Sequence, residues 1–397
     1  MSATSPLGAL GALPIALLTV YLLQQRFGAP PPPRRFATLD GLRGYAALLV
    51  YLHHTAIWFF FARTGVWALP PTRLYIHFGQ SSVAIFFMIT GFLFWSKLID
   101  GRARPLDWRR LYVSRVLRLT PLFVFTVVLL WMTALATTGL RLQVSAPRAI
   151  LESLQWLTFT VAGMPDLNRA PTSLIGGAAW SLPYEWWFYL SLPLAGLPMR
   201  LRPPPAWAAL GIAGTMSGVW WISGRAGWPI AAAFLGGIAS SFLARQPGVC
   251  RAARHWAASV VCIAALAGAT RFPTAFAPAA ILLLSLAFAI VTCGNTLFGV
   301  LEWRTARGLG EMAYSIYLLH GIVLFVVFAL VLNPGEAAAL SPARHWLVVY
   351  ACVPVLIVLS YTTFRVIEAP AMASVDRINA LLTRPPRGSA APRLPTP

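Results

Sequence analysis

Between residues 41 and 364 the sequence is a succession of apolar runs parted by short polar segments. The runs lie near 41–61, 81–97, 119–138, 179–198, 206–223, 227–243, 256–270, 275–298, 312–332 and 345–364. A bilayer core takes about 20 such residues as a helix, and a helix satisfies its own backbone groups where no water reaches. Only 11% of the 397 residues are charged, and the mean hydropathy is +0.69. So few charges cannot cover a soluble chain of this length, whereas a membrane bundle needs few. The expected fold is therefore all-α, a polytopic integral membrane bundle with ten core transmembrane helices. A further apolar run at 6–23 has no basic region before it and no small-residue cleavage site, so it reads as an extra N-terminal span and not a signal peptide. The prolines at 30–33 lack amide donors and mark a linker. Three segments result: 1–35 as apolar segment and linker, 36–372 as the membrane domain, and 373–397, rich in Pro, Arg and Ala, as a disordered tail.

The formal charge of +20 does not indicate nucleic acid, because the cations are scattered through short loops between apolar runs. With Arg43 on the cytoplasmic side, Arg63, Arg73, Arg141, Arg148, Arg169, Arg225, Arg271 and Arg344 fall outside, leaving 23 of the 31 Lys and Arg inside. That bias orients membrane proteins, and it places the C-terminus in the cytoplasm. The inside loop 97–118 carries Lys97, Arg102, Arg104, Arg109, Arg110, Arg115 and Arg118 against Asp100 and Asp107. The outside loop 139–178 is long, contains Trp156, Asp166 and Asn168, and is expected to cover a site or meet a polar partner. Cys250, Cys262, Cys293 and Cys352 have no metal-ligand spacing, and the three in apolar runs read as core thiols; no metal site is expected.

Titratable groups inside an apolar span are costly and mark function by default. The run from Leu39 to His54 holds Asp40, Arg43, His53 and His54. Eleven residues separate Arg43 from His54, which returns to within ~20° of one helix face at ~16 Å along the axis. His53 points ~80° away from that line. An interfacial Arg is common, and a histidine is often satisfied by a neighbouring helix, but two adjacent mid-helix histidines need a further reason. A neutral imidazole there suits a general base acting on a hydroxyl. In Trp180-Ser181-Leu182-Pro183-Tyr184-Glu185, a carboxylate stands among aromatics that otherwise fit an interfacial belt. Arg115 and Arg118 share a helix face and suit one phosphate, although by itself an inside cluster is better accounted for by topology and anionic lipid. Tyr314, Ser315 and His320 put hydroxyls and an imidazole on another apolar helix, and Arg365 with Glu368 reads as a local ion pair ending the last span before Pro370.

Taken in order, these pieces resemble the membrane acyltransferase-3 family, which O-acylates carbohydrates and related surface molecules. The start Leu39-Asp40-Gly41-Leu42-Arg43-Gly44 and the spacing of Arg43 to His54 are similar to its first helix. Thr90-Gly91-Phe92-Leu93 resembles its second, with Thr90 for the usual Ser. Arg115 with Arg118 is similar to its Arg-x-x-Arg motif, and Trp180-Ser181-Leu182 with Glu185 to its Trp-Ser-Leu-x-x-Glu. Phe234 with Gly236 or Gly237 resembles a weaker feature, Tyr314-Ser315-Ile316-Tyr317-Leu318 with His320 a late helix, and Arg365, Glu368 and Pro370 its closing motif. Pro183, Tyr184 and Gly321 depart from the family pattern, and the run at 6–23 lies outside its ten-helix core.

The resemblance implies an acyl-CoA donor, acetyl-CoA foremost, reached from the cytoplasm, with no bound cofactor. Arg115 and Arg118 would hold its phosphates, and Arg43 would sit near its entrance. His54 would activate the acceptor hydroxyl or carry the acyl group, and Glu185, if close, would orient the imidazole. His53, Tyr314, Ser315, His320, Trp180 and Ser181 are candidate supporting residues. The implied partners are acyl-CoA, a carbohydrate or glycolipid acceptor, and membrane lipids. The alternative is a transporter or exporter that uses the same polar groups as a solute path.

Overall fold

The computed structural model describes residues 2–28, 36–103 and 105–383, and every regular element among them is helical. The chain opens with α1 (Pro6–Phe27), α2 (Ala37–Thr64), α3 (Arg73–Asp100), α4 (Trp108–Thr137) and the short α5 (Ala146–Leu157). The main later helices are Leu182–Gly196, Pro205–Ser223, Ala233–Leu243, Trp256–Ala269, Pro278–Thr292, Ala313–Phe325 and Pro342–Thr363. Each of the ten expected runs is helical, and so is the run at 6–23. The linker at 29–33 lies outside the described residues.

The expected count of ten full spans is not what helix length gives. Six segments are long and apolar enough: Pro6–Phe27, Ala37–Thr64, Arg73–Asp100, Trp108–Thr137, Ala313–Val331 and Pro342–Thr383. Trp228–Leu243 with Pro247–Ala253, bent by 109°, makes a seventh if taken as one span. Leu182–Gly196 and Pro278–Thr292 have 15 residues each, ~22 Å of helix, short of a ~30 Å core. Tight 3-10 turns, Gly177–Ser181 and Leu197–Met199, flank the first, and Gly294 (φ 98°) follows the second; hydropathy overlooks both because none of these residues is charged.

α2 is the axis of the bundle. It packs on α3, on the Ala313–Phe325 helix and on the short Arg304–Glu311 helix, while α3 packs on Ala233–Leu243. The contact at the start of α2 is backbone on backbone. A Cβ on Gly41 would lie 2.0 Å from the Leu301 carbonyl oxygen, and one on Gly310 would lie 1.8 Å from that of Asp40. Only glycine permits this approach, which fixes the depth of Asp40 and Arg43 beside residues 310–314.

α1 leans on the last long helix, where Tyr350 donates to the Gly8 carbonyl (3.0 Å) and the Trp346 indole to that of Ser2 (3.0 Å). The 139–178 segment folds largely on itself. Trp156 is buried and donates to the Pro165 carbonyl (2.9 Å), Asp166 accepts from Ser173 (3.0 Å to its amide), and the buried Asn168 side chain bonds Gln143, Thr138 and Arg141. Trp156, Asp166 and Asn168 therefore shape the loop itself. Its end at Ile175 nevertheless crosses the Ala313–Phe325 helix at Gly321, next to His320. The tail expected to be disordered from 373 begins as a helix, Val375–Thr383, tied to the start of α4 by an Arg110–Asp376 ion pair (2.7 Å) and by Asn379 on Asp107 (3.0 Å). Residues 384–397 lie outside the described residues. Cys262, Cys293 and Cys352 are buried free thiols, as expected.

Gly310→Ala is expected to lower the detergent melting temperature markedly, by the ~1–3 kcal/mol of a core overpacking. Gly248→Ala, where a Cβ meets nothing within 4 Å, should leave it unchanged. Equal melting temperatures for the two variants would contradict the described packing.

Candidate active site

Asp40 and Arg43 sit in the first two turns of α2, where Arg43 Nη1 donates to Asp40 Oδ1 (3.1 Å). Around them opens a cavity of about 320 Å3. α4 contributes Arg115 and Arg118, the Leu182–Gly196 helix contributes Glu185 and Tyr189, and the Ala313–Phe325 helix contributes Tyr314 and Tyr317. Three of the predicted cations therefore meet in one place, although 72 and 75 residues separate Arg43 from the other two in sequence. Their carboxylate partners differ. Asp40 holds Arg43, and Arg118 lies 3.8 Å from Glu368. Arg115 has its guanidinium over the Phe94 ring (4.9 Å) and makes no ion pair among the described residues. Its Nε is buried without a hydrogen-bond partner. A half-buried guanidinium held on an aromatic face, sharing its cavity with the carboxylates of Glu185 and Glu311, retains donors for an anionic ligand.

Glu185 faces this cavity. Its Oε2 accepts from Tyr189 (2.7 Å), and the ring that lies against His54 is that of His320, not a carboxylate. The expectation that Glu185 orients His54 is replaced by a histidine pair. His320 Nε2 is 3.1 Å from His54 Nδ1, and the ring centroids are 4.7 Å apart. Carbonyl oxygens assign the tautomers, since they only accept. His320 Nδ1 donates to Ile316 (3.1 Å), which leaves its Nε2 as an acceptor, and His54 Nδ1 donates to Val50 (3.0 Å) and to that Nε2. Nε2 of His54 keeps a lone pair that no described protein group uses. His54 is half-buried, whereas His320 is 1% exposed. His53 is engaged elsewhere. Its Nδ1 meets the Tyr75 carbonyl (2.7 Å), and its ring fills the space left by Gly79 on α3. The ~80° that separates the two histidines on α2 thus divides a site residue from a packing residue.

Cavity and histidines connect through Tyr317. Its hydroxyl donates to the Ala178 carbonyl (2.7 Å) and accepts from Ser181 (2.8 Å), its side chain lines the cavity, and its ring lies 6.2 Å from that of His320. The cavity and the histidine pair thus lie on either side of Tyr317, which the Ser181 hydroxyl and the Ala178 carbonyl hold in place. Tyr314 lines the cavity and donates to the Leu119 carbonyl (3.0 Å). Ser315 lies behind the wall, donating to the buried Glu368 and accepting from Thr363 (3.1 Å). Glu368 consequently does not form the local pair with Arg365 that its spacing suggests; Arg365 reaches Tyr361 instead (3.4 Å). Trp180 stacks edge-on with Tyr184 (6.0 Å) away from the cavity lining. Tyr189 and Tyr317 are not among the predicted site residues, although their spacings hold a signal, four residues after Glu185 and three before His320. No group of three or more His, Cys, Asp or Glu among the described residues has a metal-binding arrangement.

Residues 36–365 match the family model for the acyltransferase domain of the acyltransferase-3 type. The chain is 28% identical to an acyltransferase, MdmB, of Streptomyces mycarofaciens, over 92% of this chain and 99% of the relative. It is 29% identical to protein 2 of the picA locus of Rhizobium radiobacter, over 38% of this chain and 77% of the relative. No solved structure matches. With the apolar helices, the half-buried guanidiniums and the histidine pair on one framework, the family match decides for transfer chemistry over transport: the chain is a multi-pass membrane protein belonging to the acyltransferase-3 family, an acyltransferase of groups other than amino-acyl groups.

Proposed function

We propose that the protein moves an acyl group, acetyl foremost, from cytoplasmic acyl-CoA to a hydroxyl of an extracytoplasmic or lipid-linked carbohydrate. The observation that carries this reading is the convergence of Arg43, Arg115 and Arg118 on one cavity whose wall, at Tyr317, borders the His320–His54 pair. Three guanidiniums suit the phosphates of a donor, and the distribution of Lys and Arg places their end of the bundle in the cytoplasm. The C-terminus lies on that same side.

His54 is then the general base. Its Nε2 takes the acceptor hydroxyl proton as the oxygen attacks the thioester carbonyl. The carbon–sulfur bond breaks, and the departing thiolate takes the proton back from the imidazolium, so acyl-CoA and alcohol give ester and CoA. His320 supports this step by accepting from His54 Nδ1, which fixes the ring and its tautomer. Arg115 and Arg118 hold the donor, Arg43 steers it, and Glu185 with Tyr189 shapes the cavity around it. In this reading Glu185 acts at the donor end and not on His54.

Purified protein in nanodiscs given labelled acetyl-CoA and a glycan acceptor should form a labelled ester. His54→Ala should reduce transfer by at least about 10²-fold, the worth of a general base, with its melting temperature kept. Full transfer by a folded His54→Ala protein would refute the assignment. His320→Leu should cost about tenfold in kcat, the equivalent of one ~1.4 kcal/mol hydrogen bond, with little change in KM for the donor. An effect on KM alone would place His320 in binding.

Arg115→Glu with Arg118→Glu should weaken acyl-CoA binding by more than about tenfold, read by calorimetry, because two attractions become repulsions. Unchanged affinity would remove both residues from the donor site.

A further inference from the structure

A second hollow, of about 740 Å3, lies beyond the Arg115 cavity toward the start of α4. The segment after α3 forms one side of it, and the turn between the Leu182–Gly196 and Pro205–Ser223 helices forms the other. Arg102, Arg109, Arg200 and Arg202 frame it, with Trp108 and Trp207 in its lining. Asp107 is the one carboxylate among its described lining residues, and it is already engaged: the Arg110 amide (2.9 Å) and the Asn379 side chain (3.0 Å) donate to it. The Arg110 amide also holds its carboxyl below the usual carboxylate range. No hydrogen bond or ion pair among the described residues occupies the side chain of Arg102, Arg200 or Arg202. Arg109 uses one Nη on the Leu382 carbonyl (2.9 Å), and its Nε is buried without a partner.

The turn that carries two of these cations is unusual in its chemistry. The helix ends with Arg200 in the left-handed region (φ 63°), its amide on Leu197 (2.9 Å) and that of Leu201 on Gly196 (3.1 Å). Glycine or asparagine normally takes such a position. Here it is an arginine, and with Leu201 buried between them Arg200 and Arg202 both line the hollow. Membrane topology needs positive charge only near the membrane surface, and does not need it on a strained residue at a concave site with two indoles.

Hollow and cavity share a wall. The Tyr112 ring stacks flat on Trp207 (4.8 Å, 2°), and its hydroxyl donates to the carbonyl of Tyr189 (2.9 Å), whose side chain lines the Arg115 cavity. α4 serves both sites, with Arg109 in the hollow and Arg115 in the cavity, ~9 Å apart along the helix axis. A ligand with an anionic aromatic head and a long flexible arm matches that pair of sites. We propose that the hollow binds the nucleotide end of the donor, with the adenine against Trp207 and the 3′-phosphate between Arg200 and Arg202, while the thioester arm enters the Arg115 cavity. This rests on the acyl-CoA reading above. A headgroup of an anionic lipid shares the phosphate chemistry, and the test separates the two.

The full chain is reconstituted in phosphatidylcholine nanodiscs and titrated with CoA and with 3′-dephospho-CoA by calorimetry. The wild type should prefer CoA. Arg200→Asn combined with Arg202→Gln, in which asparagine tolerates the left-handed turn, should bind CoA about tenfold more weakly and lose that preference. Arg115→Gln should weaken both ligands alike. Arg102→Gln, on the loop and free of backbone strain, should show a smaller loss of the same preference if the double variant is unstable. A wild type that binds CoA no better than the double and Arg102→Gln variants overturns this proposal and leaves the donor reading standing. A wild type that binds neither ligand overturns both. Variants that change only association with phosphatidylglycerol vesicles make the hollow a lipid contact and overturn the proposal.

Discussion

Placing ionisable side chains within a bilayer-spanning helix is the constraint on which the rest of this structure depends. On insertion scales a single Arg at the centre of a membrane helix costs about 3 kcal/mol, and α2 carries Arg43, His53 and His54. Each is met by a different neighbour. Asp40 pairs Arg43 from one turn earlier, the Tyr75 carbonyl takes His53, and His320 takes His54. The elements that supply the two histidine partners, α3 and the Ala313–Phe325 helix, are the long helices packed directly on α2. The glycine contacts at Gly41 and Gly310 set the height at which the partners arrive. Packing and site are thus one arrangement: glycine-mediated backbone contact holds the polar groups opposite each other.

The same constraint gives the site two unlike ends. At the Arg43 end three guanidiniums share the cavity with the carboxylates of Asp40, Glu185 and Glu311, and Arg115 rests on the Phe94 ring. At the His54 end the polar groups are neutral donors and acceptors that satisfy each other, apart from Nε2 of His54. On the proposed reading, the first end takes the phosphates of the donor and the second the hydroxyl of the acceptor.

Much of this is legible in the sequence, for a physical reason. Helical spacing places Arg43 and His54 on one face, and hydropathy locates the long apolar helices, because both follow from local periodicity. Pairing between distant segments is not legible in that way. Glu185 suggests itself as the partner of His54 because carboxylates commonly orient imidazoles, yet no spacing relates the two, and the fold sends Glu185 to Tyr189 and the cavity. Spacing assigns Glu368 to Arg365, three residues away, but Glu368 reaches Ser315 and the guanidinium of Arg118. Span count fails differently. The Leu182–Gly196 helix is apolar enough to look like a span, and the uncharged turns flanking it leave it at ~22 Å.

That shortness has a consequence for the surroundings of the site. The helix begins at Leu182, next to Ser181, so its start lies at the level of Tyr317 within the bundle. The backbone groups of residues 176–181 are satisfied by short-range turns and by Tyr317 and Thr160, which bond the Ala178 and Ala179 carbonyls. Irregular backbone at membrane depth is tolerated where protein covers it or where it lines a water-filled path. At this point Ser181 and Tyr317, both of which line the cavity, are tied to each other and, through the Tyr317 hydroxyl, to the Ala178 carbonyl. The turn is thus held by the same tyrosine whose ring lies 6.2 Å from that of His320, so the packing of this segment and the surroundings of the histidine pair depend on one side chain.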